Sequence, residues 1–237
     1  MLNRVCALLW LRIQVIFSNK SLLLQILIPF AFVYFYKYLL NTQREVRGQE
    51  NLFLLAICLP FSLAMAVGNP ITVILAEEKE KYNLRTLLLA GIKKREYIIS
   101  TLILPVLLSF IVMVTVPFLL GISIVNILSY SIVVLLTATV VMALYLFMGL
   151  VTRSQVEAQV FSIPAMLFVA FLPMMSNLDG GIAKVVDYSF MGLFTEYVAE
   201  WKDFSWEKAI PTLFSLLCWF LILVIANFLA VKKKNRI

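Results

Sequence analysis

The residues able to do chemistry are few in this sequence. The chain has no histidine, the commonest general base and metal ligand. Its three cysteines, Cys6, Cys58 and Cys218, stand far apart, without metal-binding or redox spacing. A glycine-rich phosphate loop of the GxxxxGK[ST] type is missing, so the chain cannot hydrolyse ATP in that manner. We therefore predict a non-enzymatic protein with no catalytic residue, no metal site and no cofactor in this chain.

Charged residues are instead concentrated in one segment, residues 77–97, with the sequence EEKEKYNLRTLLLAGIKKREY. Asn83 is suited to cap a short helix. Leu84, Leu87 and Leu88 would share one face of that helix at i, i+3 and i+4. Such an apolar face fits a groove in a partner protein, and it equally fits the membrane surface. The residues by themselves leave these two alternatives open.

The remainder of the chain is too apolar for a soluble domain. It is 62% hydrophobic and only 14% charged, with a mean hydropathy of +0.98, whereas globular domains are roughly one quarter charged. No Asp, Glu, Lys or Arg occurs between residues 97 and 152. We predict an all-α integral membrane protein.

Apolar runs of about 20 residues, the length that crosses a bilayer as a helix, predict six membrane spans. The longest run must fold back on itself, and Gly121, Ser123 and Asn126 mark the turn. The predicted spans are residues 21–40, 52–76, 97–120, 125–152, 158–178 and 209–231.

Residues 1–20 have the pattern of a helix that lies in the membrane interface. Leu9 and Ile13 fall on an apolar face, and Arg4 and Arg12 lie opposite. We therefore expect both arginines to face water.

The basic residues are unevenly distributed between the two ends of the spans. Fourteen of the 20 Lys and Arg residues lie in the N-terminal segment, in residues 77–96, at Arg153 and in the C-terminal tail. Because loops rich in Lys and Arg stay in the cytoplasm, both termini are predicted to be cytoplasmic in a multi-pass protein of the plasma membrane. The same bias accounts for the net charge of +7 without a nucleic-acid partner.

Seven of the eight prolines fall in the interior of the predicted spans, which favours bent, adjustable helices over a rigid anchor. The eighth, Pro211, suits the first turn of the last span. We predict helix bending in the second span at Pro60, Asn69 and Pro70. Asn69 precedes a proline, so we expect it to leave helical geometry.

The charged segment resembles the coupling segment of the type-two ABC exporter permeases. The resemblance lies in the acidic and basic run, the capping residue, the leucine-rich LRTLLLAGI and the Glu-Tyr pair that enters the next span. The interfacial helix, the six spans and the long insertion at residues 177–208 agree with it. Asn83, Leu84 and Arg85 stand where family members commonly have Thr-Leu-Glu.

The resemblance implies one permease domain over residues 1–237 that pairs with a second copy or a homologue in the lipid membrane. Each copy would dock, through a coupling segment at residues 77–96, on a cytoplasmic ATPase that carries ATP and Mg. The residues then assigned to ATPase coupling are Glu77, Glu78, Glu80, Asn83, Leu84, Leu87, Leu88 and Gly91.

By the same resemblance, residues 177–208 contain short re-entrant helices between the fifth and sixth spans. Helical spacing of apolar residues supports two such helices. Trp201, Phe204 and Trp206 suit an aromatic belt at the membrane interface.

The predicted function is export of an amphipathic or hydrophobic substrate, such as a peptide, toxin or drug, driven by the partner ATPase. Export of a polysaccharide or of a haem-related molecule by the same family is a near alternative. From a different class, the chain could be a membrane scaffold or immunity protein that does not transport. An intramembrane enzyme is disfavoured, because the spans lack ionisable residues at depth.

The orientation is tested by thiol labelling of intact cells. In a cysteine-free version, a cysteine placed at Asp179 is expected to react with a membrane-impermeant reagent, and one placed at Lys233 is not. The reverse labelling pattern would contradict the predicted topology.

Overall fold

The computed structural model describes residues 2–42, 49–81, 83, 89, 91–92, 94–176 and 180–234. Within these residues the elements are helices, and there is no strand. Six of the described helices are long and apolar enough to cross a membrane. The predicted all-α membrane architecture with six spans is confirmed.

The bounds of the helices agree with the predicted spans to within about one helical turn. An N-terminal helix, Leu2–Ser18, precedes the first span, Lys20–Thr42. The second span consists of Gln49–Ser62, a π-helical turn at Leu63–Gly68, and Asn69–Glu80. The other elements are the third span Lys94–Leu120, the fourth Ile127–Val151, the fifth Gln155–Met175, two outer helices Gly180–Asp187 and Gly192–Ala199, and the sixth span Ile210–Lys234.

Local turn chemistry explains where the spans begin and end. Gly121 has a positive φ of 71°, which glycine adopts at little cost. The side chain of Asn126 caps the fourth span by accepting a hydrogen bond from the Ser129 N–H at 3.2 Å. The predicted turn between the third and fourth spans is thereby confirmed.

The second span is the central helix of the bundle. Two thirds (67%) of its most apolar window is buried, against 17% for the first span and 22% for the sixth. A Cβ atom on Gly68 would lie 2.4 Å from the Tyr145 ring, so the second and fourth spans approach closely there. One turn later, the Thr72 hydroxyl donates to the Tyr145 carbonyl at 2.8 Å. Small residues at such crossings let two membrane helices pack backbone to backbone.

The π-helical turn lies between Pro60 and Pro70. The Asn69 N–H donates to the Ala64 carbonyl, five residues back, which is the π pattern. Asn69 itself has φ of −53° and ψ of −45°, so the expectation that it leaves helical geometry is wrong. The π-helical turn accommodates one extra residue by shifting the backbone hydrogen bonds, and Asn69 keeps a helical backbone. Bending at the three assigned residues stays a prediction.

The outer helices and the residues after them close one end of the bundle with an aromatic cluster. Tyr197 packs between Tyr130 and Trp201, with ring centroids 6.1 and 5.3 Å away. Burial raises the pKa of Tyr197 to about 12, so its hydroxyl stays protonated at neutral pH. Trp201 is only 7% exposed because it fills this cluster, and its place in an interfacial belt stays a prediction. The re-entrant placement of the outer helices stays a prediction.

The close approach of the second and fourth spans predicts a cost for Gly68→Ala. The added methyl would displace the Tyr145 ring and should destabilise the fold by about 1–3 kcal/mol through overpacking. Cys58, which is fully buried, can report unfolding by its reaction with a thiol dye once Cys6 and Cys218 are replaced by Ser. Gly181→Ala is the matched control, since no atom lies within 4 Å of its added Cβ. Equal unfolding temperatures for the two variants would contradict the packing account.

Candidate functional site

The helix of the second span continues to Glu80, as the charged run predicted. It carries three of the residues assigned to coupling, Glu77, Glu78 and Glu80. Beyond the helix, Asn83 is exposed and Gly91 has a positive φ of 82°. Leu84, Leu87 and Leu88 lie outside the described residues. The assignment of these residues to ATPase coupling stays a prediction.

Glu78 is buried in a triangle of side chains from three helices. The Arg12 guanidinium of the N-terminal helix lies 3.4 Å from the Glu78 carboxylate. The Tyr97 hydroxyl, at the start of the third span, donates a hydrogen bond to the same carboxylate. The Arg12 guanidinium carbon also lies 5.0 Å from the centroid of the Tyr97 ring, which adds a cation–π contact. The triangle therefore ties the N-terminal helix to both ends of the coupling segment.

The burial of Arg12 corrects the expectation that it faces water. Arg12 is only 2% exposed, and its Nε and Nη1 atoms have no hydrogen-bond acceptor in the described structure. A buried guanidinium with unsatisfied donors is costly, so it depends on Glu78 for neutralisation. This end of the bundle therefore contains a buried ion pair, whereas the sequence pattern placed Arg12 in water.

A second arginine of the N-terminal helix reaches the other end of the coupling segment. The Arg4 Nη1 donates to the Gly91 carbonyl at 2.9 Å. The same atom lies 3.9 Å from the Glu96 carboxylate. Arg4 is exposed, so this contact is worth much less than that of Arg12. It nevertheless brings the start of the N-terminal helix to Gly91 and Glu96, near the end of the coupling segment.

A sequence signal for this packing was available in the N-terminal helix. One face of this helix carries a residue at every fourth position: Arg4, Leu8, Arg12 and Ile16. Of the described residues of the helix, the last three are the buried ones. Trp10, on another face, is 62% exposed. Leu8, Arg12 and Ile16 therefore lie on a face covered by protein, whereas the sequence pattern assigned Arg12 to water. The interfacial position of the helix stays a prediction.

Lys79 and Glu80 contact the junction between the fourth and fifth spans. The Lys79 Nζ donates to the carbonyls of Leu150, at 3.1 Å, and Thr152. Glu80 accepts a hydrogen bond from the Gln155 N–H at 2.8 Å. A cation at the carboxyl end of one helix and an anion at the amino end of the next each complement a helix dipole.

The junction itself is held by two hydrogen bonds between side chains and backbone N–H groups. The Ser154 hydroxyl accepts from the Glu157 N–H at 3.2 Å. Glu157 in turn accepts from the Arg153 N–H at 2.7 Å. The pattern Ser-x-x-Glu was visible in the sequence, although its neighbours in space were not.

Glu77 and Lys81 form an ion pair within one helix, with a distance of 2.6 Å between Nζ and Oε1. The hydrogen bond and charge of Glu77 raise the pKa of Lys81, which is fully exposed. The hydrogen bond and the ion pair between Glu77 and Lys81 therefore stay within one helix.

Residues 37–229 match the family described as ABC-2 family transporter protein. The chain belongs to this family. The match begins inside the first span, so the N-terminal helix of this ABC-2 protein lies outside it. No curated protein and no solved structure matches the chain.

The ABC-2 chain has a cavity of about 560 Å³ beside Tyr97, between the second, third, fourth and sixth spans. Its walls are apolar apart from Tyr97, Thr101, Thr139 and Asn227. The Asn227 Nδ2 donates to the Ala143 carbonyl at 3.0 Å, and its Oδ1 is buried without a partner in the described structure. Across the described residues, no group of three or more acidic or cysteine side chains could hold a metal ion.

The buried triangle predicts strong coupling between Arg12 and Glu78 in stability. Arg12→Met or Glu78→Leu alone leaves one charge unpaired and should cost about 3–5 kcal/mol. The double variant, with both charges replaced by apolar groups of similar length, should lose much less than the sum. The unfolding temperatures of the two single variants and the double variant are measured on purified protein by the reaction of Cys58 with a thiol dye.

The matched control for this cycle is Lys81→Met, which breaks only the exposed pair with Glu77. It should shift the unfolding temperature little. Strictly additive losses for Arg12→Met and Glu78→Leu would mean that the two side chains do not act as a pair.

Proposed function

We propose that this ABC-2 protein is the membrane subunit of an ATP-driven exporter. The observation that carries the proposal is the family match, which spans the bundle from the first span to the sixth. Membership implies a partner ABC ATPase, because this chain has no phosphate loop of its own. The membrane subunit would bind the cargo and change shape, and the partner would hydrolyse ATP with its own Mg.

The docking surface for the ATPase is proposed to be the coupling segment between Asn83 and Gly91. The side chains of Glu78 and Glu80 already contact other elements of this chain. Leu89, in contrast, is 80% exposed, which supports an apolar surface offered to a partner. A short segment held between two long spans can transmit a push from a docked protein into both of them.

This end of the bundle is proposed to face the cytoplasm, with both termini on that side of the plasma membrane. The excess of Lys and Arg at this end supports the orientation. Trp10 and Phe17, exposed on the N-terminal helix, are suited to contact lipid at the interface.

The cargo is proposed to be an amphipathic or hydrophobic molecule, such as a peptide, toxin or drug. The apolar walls of the cavity, with a few polar atoms among them, support this class over polysaccharides. A second copy of the chain, or a homologue, would complete the path across the membrane. A cargo related to haem would also meet the apolar walls, and transport assays with candidate cargoes separate these options.

The docking surface is tested by Leu84→Asp together with Leu88→Asp. Two carboxylates in an apolar interface should weaken ATPase binding by about tenfold or more, while the spans still insert. Copurification of the ATPase from membranes and export by cells measure the two effects.

Ile182→Asp with Val185→Asp is the matched control, because it places the same charges on an exposed face of the first outer helix. It should leave ATPase binding unchanged. If the leucine variant keeps its ATPase and full export, the coupling segment is a membrane-surface element. If the unmodified chain brings no ATPase at all, a non-transporting scaffold is the better function.

A further inference from the structure

Three consecutive residues at the end of the second span each contact a different part of the bundle. In an α-helix, successive side chains point about 100° apart. Glu78 therefore reaches the N-terminal helix and the third span, at Arg12 and Tyr97. Lys79 reaches the end of the fourth span, and Glu80 reaches the start of the fifth.

We infer that Glu78, Lys79 and Glu80 form a three-way linkage that carries a displacement of the coupling segment to the third, fourth and fifth spans at once. The inference rests on the proposed function and deepens it. These residues are then positioning residues for transport, and the ATPase is contacted by the segment that follows them.

The contacts have the chemistry that such a linkage needs. Through the backbone alone, the coupling segment is joined only to the second and third spans. Lys79 and Glu80 add the fourth and fifth spans through charge-assisted hydrogen bonds, which are shorter and stronger than neutral ones. The Gln155 N–H has no acceptor within its own helix, since it begins the fifth span. Glu80 supplies that acceptor at 2.8 Å, and so the bond fixes the helix end directly.

This geometry allows the contact to be removed without changing the helix. Gln155→Pro removes the donated N–H together with the amide side chain, and proline is favoured at the first position of a helix. The preceding Ser154 has φ of −130° and ψ of 162°, an extended conformation that a following proline prefers. Gln155→Ala is the matched control, because it removes the same side chain and keeps the N–H.

The first measurement needs no ATPase. Spin labels are attached at Leu89→Cys and Val160→Cys, both exposed sites, after the native cysteines are replaced. In the purified chain in lipid nanodiscs, the distance between the labels should be narrowly distributed in the unmodified protein and in Gln155→Ala. It should become broader in Gln155→Pro.

A second pair of variants keeps the inference falsifiable if Gln155→Pro fails to insert. Lys79→Ala removes the donor to the fourth span, and Lys79→Arg retains donors of the same charge. The distribution should broaden with alanine and recover with arginine. Distance distributions that stay unchanged in Gln155→Pro and in Lys79→Ala would overturn the linkage. Distributions that broaden equally in each variant and in its matched control would overturn it as well.

The second measurement uses the complex with the ATPase. In Gln155→Pro, ATPase binding and ATP hydrolysis should persist, while cargo exported per ATP should fall about tenfold, the factor that corresponds to one charge-assisted hydrogen bond. Gln155→Ala should export normally. Normal export per ATP in Gln155→Pro would overturn the inference. Failure of the unmodified chain to bind an ATPase would instead refute the proposed function, and the distance measurement would still decide the linkage.

Discussion

A charge buried at the end of an apolar span must be neutralised where it lies, and the arrangement of this protein depends on that constraint. Arg12 is 2% exposed and has Glu78 as its counter-ion. Either charge without the other would face a large desolvation cost. The pair therefore fixes the position of the N-terminal helix on the bundle. Through Tyr97, which donates to the same carboxylate, it also fixes the start of the third span.

The second span distributes this constraint to the remainder of the bundle. Along its middle, Gly68 and Thr72 bring it against the fourth span closely enough for a hydrogen bond to the Tyr145 carbonyl. At its end, Lys79 and Glu80 hold the junction of the fourth and fifth spans. Close packing at Gly68 and Thr72 resists sliding of the two helices past each other. At Lys79 and Glu80, directional hydrogen bonds set the orientation of the neighbouring helix ends. A displacement at the coupling segment would therefore move a set of helices together.

The two ends of the bundle are held by different forces. The end with the outer helices is closed by the aromatic cluster around Tyr197, where apolar burial dominates. The end with the coupling segment is held by ion pairs and by hydrogen bonds to helix ends. Apolar packing depends little on angle, whereas hydrogen bonds to helix ends are lost when a helix turns or shifts. The second kind of contact suits the end that we propose to receive the motion of an ATPase.

Local sequence patterns predicted the spans, the turn at Gly121 and Asn126, and the continuation of the second span to Glu80. These depend on local hydropathy and on the backbone preferences of single residues. The burial of Arg12 and the place of Trp201 in an aromatic cluster become visible only once the helices are packed together. The packing of the helices also determines which neighbours Glu78, Lys79 and Glu80 contact. Arg12 and Glu78 are 66 positions apart in the chain, and a hydropathy pattern gives no information on such pairs. Helical periodicity defines the faces of a helix, but the neighbour that covers each face is fixed only when all the helices pack together.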